Sequence, residues 1–204
     1  MKLYYFPGAC SLADHIVLEW IGAPYETVRL DLAGTKSPDY LALNPNGTVP
    51  LLIDGEFVLT QNVAILHYLA ELHPHAHLLG DGTARGRADV LRWLCLLDSD
   101  LHPAFKPLFQ PRRIHPDASL SGVIMSQARD HVRVHLGRLE VRMQGRDWLT
   151  DSRSIADPYL FVLLRWALRF DIDLRAFDNL TRFFERMYTD RGVRGAVIAE
   201  EGSI

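Results

Sequence analysis

Residues 1–20 read MKLYYFPGACSLADHIVLEW. KLYYF alternates and is rich in aromatic side chains, the pattern of a strand. Pro7 and Gly8 punctuate it. From Leu12 the apolar residues Leu12, Ile16, Val17, Leu18, Trp20 and Ile21 mark a buried helix face, which Gly22 closes. YETVRLDL follows as a second strand, by its alternation and its Val and Tyr. Strand, helix, strand in this order predicts a parallel βαβ unit. The same stretch sets Cys10 and Ser11 at the mouth of the helix, in a chain with only 2 cysteines.

Further along, SPDYLALNPNGT reads as a short helical turn and a loop. VPLLIDG and EFVLT read as a hairpin turning at Asp54-Gly55. TQNVAILHYLAELHP is a helix that begins at Gln61 and Asn62 and closes before Pro74. HAHLLGDGTARG is polar and turn-rich, a linker. Every later segment is helical in pattern. ADVLRWLCLLDSDLHPAFKPLF carries two prolines near its end, and SQARDHVRVHLGRLEVRMQG is amphipathic. SRSIADPYLFVLLRWALRF opens polar and turns almost wholly apolar, as a helix buried on most sides does. FDNLTRFFERMYTD and GVRGAVIAEEG are two shorter helices. The expected architecture is an α/β domain over residues 1–77 followed by an all-helical domain over 86–204.

Composition narrows the function classes. Lys and Arg number 22 against 25 Asp and Glu, a net charge of −3, which is no nucleic-acid footprint. QPRRIH and HVRVHLGRLEVRMQGR read as the wet faces of helices. No apolar run reaches membrane-span length, so no membrane partner is expected. Two cysteines make no disulfide framework, and no charged-then-apolar leader precedes the first strand. The expectation is a cytoplasmic protein with reduced thiols. HPHAH reads as linker, and no metal is expected because no cysteine or acid stands at ligand spacing. A Ser-His-Asp triad fails for want of a nucleophile-elbow glycine pattern.

Four short motifs carry chemistry, each with a plain structural reading beside the functional one. In NGTVP, Pro50 is an ordinary start to a strand, or a cis proline whose turn offers the Val49 N–H and C=O to an extended peptide. In TQN, Asn62 is a simple cap, or an amide at a helix N-terminus suited to a carboxylate. Cys10 is a small buried hydrophobe, or a thiolate favoured by helix N–H groups. Ser154 and Asp157 in SRSIADPYL form a capping box with Asp for Glu, a structural device.

The run KLYYFPGACSLADHIVL, NPNGTVPLL, LTQNVAILHYLAE, LHPAFKPLF and SIADPYLFVLLRW resembles the glutathione S-transferase superfamily, specifically its bacterial beta class, over essentially the whole chain. The resemblance implies a thioredoxin-like α/β N-terminal domain, an all-α C-terminal domain, and a homodimer. It implies glutathione as co-substrate, lying extended along the N-terminal domain. Val49, before a cis Pro50, would pair with its backbone, and Gln61 and Asn62 would hold its γ-glutamyl end. Beta enzymes more often show Glu-Ser or Glu-Gly there, so Gln61 drops a negative charge. Lys36 falls near the glycyl carboxylate.

Cys10 would be the site of mixed-disulfide chemistry, with Ser11 or the Tyr5 hydroxyl as the alternative groups that orient the glutathione thiolate. His102 would bond the sulfur or shuttle a proton, or only line the cleft. Pro103 stands where relatives often carry Lys. It removes a helical N–H, so a kink that re-aims His102 is expected. Cys95 sits on the same helix near a position where relatives carry an Asn facing the glutathione site; it lines the site or, the favoured reading, packs in the core. Phe6, Phe105, Phe109 and Trp166, with Phe170, would form the acceptor pocket.

The implied function is conjugation of glutathione to small hydrophobic electrophiles, a detoxifying transferase, with thiol-disulfide or peroxide reduction through Cys10 as a second reaction type. The alternative is a non-catalytic regulatory or partner-binding protein of the same fold.

Overall fold

The computed structural model describes residues 1–202. The final two residues of the expected 86–204 span lie outside the described residues. Four strands, β1 (Lys2–Tyr5), β2 (Glu26–Arg29), β3 (Leu51–Asp54) and β4 (Phe57–Thr60), form one sheet in the order β2-β1-β3-β4. β1 and β2 are parallel, with Lys2 opposite Glu26. β3 runs antiparallel to both β1 and β4. Helix α1 (Leu12–Ile21) joins the parallel pair, so the expected βαβ unit is present. Gly22 ends α1 in the left-handed region, its N–H bonded to Leu18 O. The hairpin turn is shifted by one residue from the expected pair. Asp54 still pairs with Phe57, and the two-residue loop is Gly55-Glu56, with Gly55 at φ +60°.

Two more helices complete the first half. α2 (Pro38–Leu43) is capped by Ser37, whose hydroxyl accepts from the Tyr40 N–H, and α3 (Asn62–Leu72) follows the hairpin. The second half is helical throughout: α4 (Ala84–Leu96), α5 (His102–Ala104), α6 (Lys106–Phe109), α7 (Pro111–Ile114), α8 (Ser121–Arg142), α9 (Ala156–Arg169), α10 (Asp178–Thr189) and α11 (Arg191–Glu201).

Between α4 and α5, residues 97–101 form a π-helical turn in which the His102 N–H reaches back five residues to Leu97 O. The cause is Pro103, which has no N–H to continue the ladder and whose ring crowds the carbonyl four residues back. The expected kink is therefore a widened turn directly ahead of His102.

α8 shows the expected amphipathic stripe, burying Ala128, Val132, His135, Leu136 and Leu139. α9 is buried on all sides from Ala156 through Leu164, and again at Trp166 and Ala167. It packs on α1, α4 and α10. Its first turn is fixed as the sequence suggested. The Ser154 N–H donates to Asp157 Oδ2 at 2.7 Å, and the Ala156 N–H donates to Ser154 Oγ at 3.3 Å. A third bond was not foreseen: the Leu149 N–H donates to Asp157 Oδ1 at 2.8 Å, tying the preceding loop to the helix.

The two halves are also clasped by a pair that sequence reasoning missed. His15 Nδ1 of α1 lies 3.0 Å from Glu200 Oε1 of α11, both side chains being almost fully buried. Cys95 departs from expectation: it is exposed on α4, because the buried face of that helix runs through Val90 and Leu94.

Replacing Asp157 by Ala strands two buried N–H groups. The expected loss is about 2–4 kcal/mol of folding free energy, against a smaller loss for Asp157→Asn, which keeps one acceptor. Urea unfolding of both variants checks this. Equal stability to the parent would mean that the box does not hold the helix.

Candidate active site

Two compartments meet in the cleft between the α/β half and the helical half. One is apolar in character, about 590 Å³, walled by Phe6, Leu32, Phe109, Ile114 and Trp166. The other is polar, about 410 Å³, lined by Asn46, Pro50, Gln61, Asn62 and Asp98. Cys10, Thr48, Val49, His102 and Lys106 line both and mark their junction. A larger depression of about 930 Å³ holds none of the expected site residues. It lies around Trp20, Asp81, Arg85 and Asp151, with charges of both signs and Arg153 stacked over Trp20.

The strand-to-helix turn delivers Cys10 to this junction, and the structure sets its charge state. The side chain is 8% exposed, and its Sγ donates to Val49 O at 3.8 Å. Burial first, then the carboxylates of Asp14 and Asp98, push the thiol up to about 12. The N–H groups of Cys10 and Ser11 pull the other way and are outweighed. Of the two readings of Cys10, burial favours the small buried side chain over the thiolate that the helix mouth would favour. The Val49–Pro50 bond is cis.

Gln61 and Asn62 both face the polar compartment in an unusual local conformation. Gln61 sits at φ +75° immediately before α3 and makes no side-chain cap. Asn62 is the first helical residue and is buried; neither its amide nitrogen nor its amide oxygen makes a hydrogen bond of ordinary length among the described residues, and its amide leans on the Tyr159 hydroxyl, whose pKa it lowers. A simple cap would have bonded to the helix, so the plain reading of Asn62 fails.

His102 is placed by a chain of hydrogen bonds. The Tyr159 hydroxyl donates to Asp98 Oδ1 at 2.8 Å, and His102 Nδ1 lies 2.6 Å from the same hydroxyl. One hydroxyl has one proton. Since that proton goes to the carboxylate, His102 must donate from Nδ1, which leaves the Nε2 lone pair free. Burial lowers the pKa of His102, against the opposing pull of Asp98, and Lys106 lowers it further, so the ring is held neutral. Burial, Cys10 and Asp98 all raise the Tyr159 hydroxyl, which keeps its proton.

Several expected site residues stand elsewhere. Tyr5 is buried against His15, with ring centroids 5.8 Å apart, and lines neither compartment. Ser11 is fully buried and bonds back to Phe6: the Phe6 N–H donates to its Oγ at 3.4 Å. Lys36 spends its ammonium on Gly47 O at 2.9 Å and is outside the lining of either compartment. Phe105 is fully buried behind Trp166 and does not reach the cavity surface. Phe170 packs edge-on against Phe109.

Sequence reasoning missed Asp98, Tyr159 and Lys106. It also missed Arg113 of QPRRIH, read as a wet face and found lining the apolar compartment. Only the short spacing His102-x-x-x-Lys106, one helical turn, could have flagged Lys106.

Residues 1–71 match the family description "Glutathione S-transferase, N-terminal domain", and residues 124–190 match "Glutathione S-transferase, C-terminal domain". Glutathione S-transferase GST-4.5 of Xanthomonas campestris pv. campestris is 49% identical over 201 residues, 98% of each chain. The chain belongs to the glutathione S-transferase family.

Among solved structures, the beta-class glutathione S-transferase of Sphingomonas chungbukensis is 38% identical with a TM-score of 0.88, covering 98% of this chain and 99% of that one. A sphingomonad glutathione S-transferase complexed with glutathione is 37% identical with a TM-score of 0.87, covering 98% of each. This transferase thus has the family's glutathione-binding domain in front of a helical domain, and its neighbours include the bacterial beta class. Among the described residues no helix is long and apolar enough to cross a membrane. Among the described residues no group of three or more His, Cys, Asp or Glu is placed to hold a metal.

The proton count makes a sharp prediction. In ¹⁵N-labelled protein at neutral pH, His102 should carry its proton on Nδ1, the less common form in water. Tyr159→Phe should lose that preference. Nitrogen chemical shifts of the ring check it. A proton on Nε2 in the parent would mean that Tyr159 donates to His102 and that the chain runs in the opposite sense.

Proposed function

We propose that this transferase conjugates glutathione to small hydrophobic electrophiles, with residues 1–77 holding glutathione and 86–204 supplying most of the acceptor wall. The supporting observation is Asn62. A buried amide with no hydrogen bond of ordinary length among the described residues, only a contact with the Tyr159 hydroxyl, has room for a polar ligand, and it lies at the N-terminus of α3, where N–H groups favour a carboxylate. Glutathione placed there has its γ-glutamyl end at Gln61 and Asn62 and its backbone along Val49. Its sulfur then lies at the junction beside Cys10 and His102.

Neutral His102 accepts the thiol proton at Nε2, and Asp98, through Tyr159, favours the imidazolium that results. The sulfur then attacks an electrophile held against Phe6, Phe109 and Trp166. Cys10, protonated, acts as a hydrogen-bond donor rather than a nucleophile. Lys36 reaches a glycyl carboxylate only by leaving Gly47.

Reduction of disulfides or peroxides through Cys10 is the second reaction type, and the high thiol pKa argues against it in the free protein. Two further parts of the reading rest on surface chemistry. Edge strand β4 exposes Phe57 and Val58, and α8 exposes Val134 and Val141, apolar surface suited to a homodimer, which light scattering would detect. Cys10 and Cys95 are both free, which suits the cytoplasm.

The deciding experiment pairs intact-protein mass spectrometry after exposure to oxidised glutathione with conjugation kinetics. The expected result is no adduct on the parent, a loss of about 10²-fold or more in kcat/KM for His102→Ala, and most of the conjugation retained in Cys10→Ala. A glutathione-sized adduct on the parent and not on Cys10→Ala would put the redox reaction first. No glutathione binding by calorimetry would leave the non-catalytic reading.

A further inference from the structure

The charges around the cleft are sorted. The apolar compartment has Lys106, Arg113 and Arg169 among its lining residues and no Asp or Glu. The polar compartment has Asp98, and Lys106 as its one Lys or Arg. Among the described residues none of these three cations has a carboxylate partner within ion-pair distance. Glu201 stands in the neighbourhood of Arg169. Both come within 3.9 Å of the point where a Cβ on Gly8 would stand. Glu201 is already engaged by Arg165 through two bonds of 3.1 and 2.8 Å, and it lies outside the apolar lining.

The cations are joined to an aromatic wall. Trp166 is pinned by its Nε1–H donating to Gly8 O at 2.8 Å. Phe109 meets Trp166 edge-on at 4.9 Å, and the Arg169 guanidinium carbon lies 5.6 Å from the Phe109 ring centroid. Arg113 follows Phe109 by four residues, on α7, after the helix breaks at Gln110, and it lines the same compartment. A planar ring laid on this wall would carry its substituents toward two guanidinium groups, which match a carboxylate or sulfonate geometrically. A neutral acceptor would gain nothing from them, so the cations act as a selective element rather than as general binding surface.

We propose that the acceptor side of this site takes electrophiles that bear an anionic group: activated aryl compounds with a carboxylate or sulfonate remote from the reacting carbon, with Arg113 and Arg169 as the residues that select them. This rests on the transferase reading above. In the reaction, a bond forms between the glutathione sulfur and the ring carbon, and chloride leaves with its electron pair. The thiol proton passes to His102 Nε2 and on to solvent. Nothing is oxidised or reduced.

The test compares 1-chloro-2,4-dinitrobenzene with 4-chloro-3,5-dinitrobenzoate on the full chain. Each kcat/KM is divided by the uncatalysed rate at the same pH and glutathione concentration. The expected ratio favours the carboxylate by about tenfold at low salt and shrinks as salt is added. Arg113→Gln and Arg169→Gln should each lower that ratio several-fold. Arg113→Lys should recover part of it. Because the neutral acceptor reports any general damage to the cleft, the ratio isolates the charge.

A parent ratio of one or less, or a ratio untouched by either substitution, overturns the proposal. So does a rise in KM for glutathione with the ratio unchanged, which would assign the cations to the carboxylates of glutathione itself. Turnover of the neutral acceptor alone sinks this proposal and leaves the transferase reading standing. Turnover of neither, with glutathione bound in calorimetry, removes the transferase reading and this proposal with it.

Discussion

Helix α9 is buried over most of its length, and the site hangs from it. Its first turn is locked by Asp157, which accepts from Ser154 and Leu149. One residue group later Tyr159 reaches both Asp98 and His102. Two turns on, Trp166 donates to Gly8 in the turn that carries Cys10. A buried helix in close-packed surroundings has almost no freedom to shift. The histidine, the aromatic wall and the cysteine turn are therefore held in one frame from a single element, and the sheet contributes its share through α1, which packs directly on α9.

Low dielectric decides the protonation states in that frame. The position of Cys10 at a helix start favours a thiolate, but the sulfur is nearly dry and sees two carboxylates, and burial outweighs the N–H groups. The same burial holds His102 neutral. A neutral histidine with a free lone pair beside a protonated cysteine is an acceptor for an incoming thiol, not the partner of an already ionised one. On the reading proposed above, the reactive sulfur is supplied by the ligand.

Pro103 shows how one backbone feature sets a site. Without its N–H the helix from α4 cannot continue at normal pitch, and the widened turn through residues 97–101 absorbs the loss. That turn carries Asp98, so the residue that completes the Asp98–Tyr159–His102 chain sits on the distortion that the proline causes. Lys106 then falls one turn past His102, at the junction of the two compartments.

The strand, helix, strand pattern of residues 1–30, the hairpin, the buried helix and its capping box were legible from periodicity and local chemistry alone. These depend on neighbours in sequence: alternation, 3.6-residue spacing, and side chains that reach back three residues. So was the placement of Pro50 at a strand entry and of Gln61-Asn62 at a helix start, because strand starts and helix starts are local events. What the sequence could not determine is which groups share a dry space. Tyr5, Ser11 and Phe105 are the right residue types at suggestive positions, yet they point into the interior, while Asp98, Tyr159 and Arg113, remote from Cys10 along the chain, line or brace the cleft. Burial, proton counting and charge pairing are properties of that assembled space, so the tertiary structure decided them.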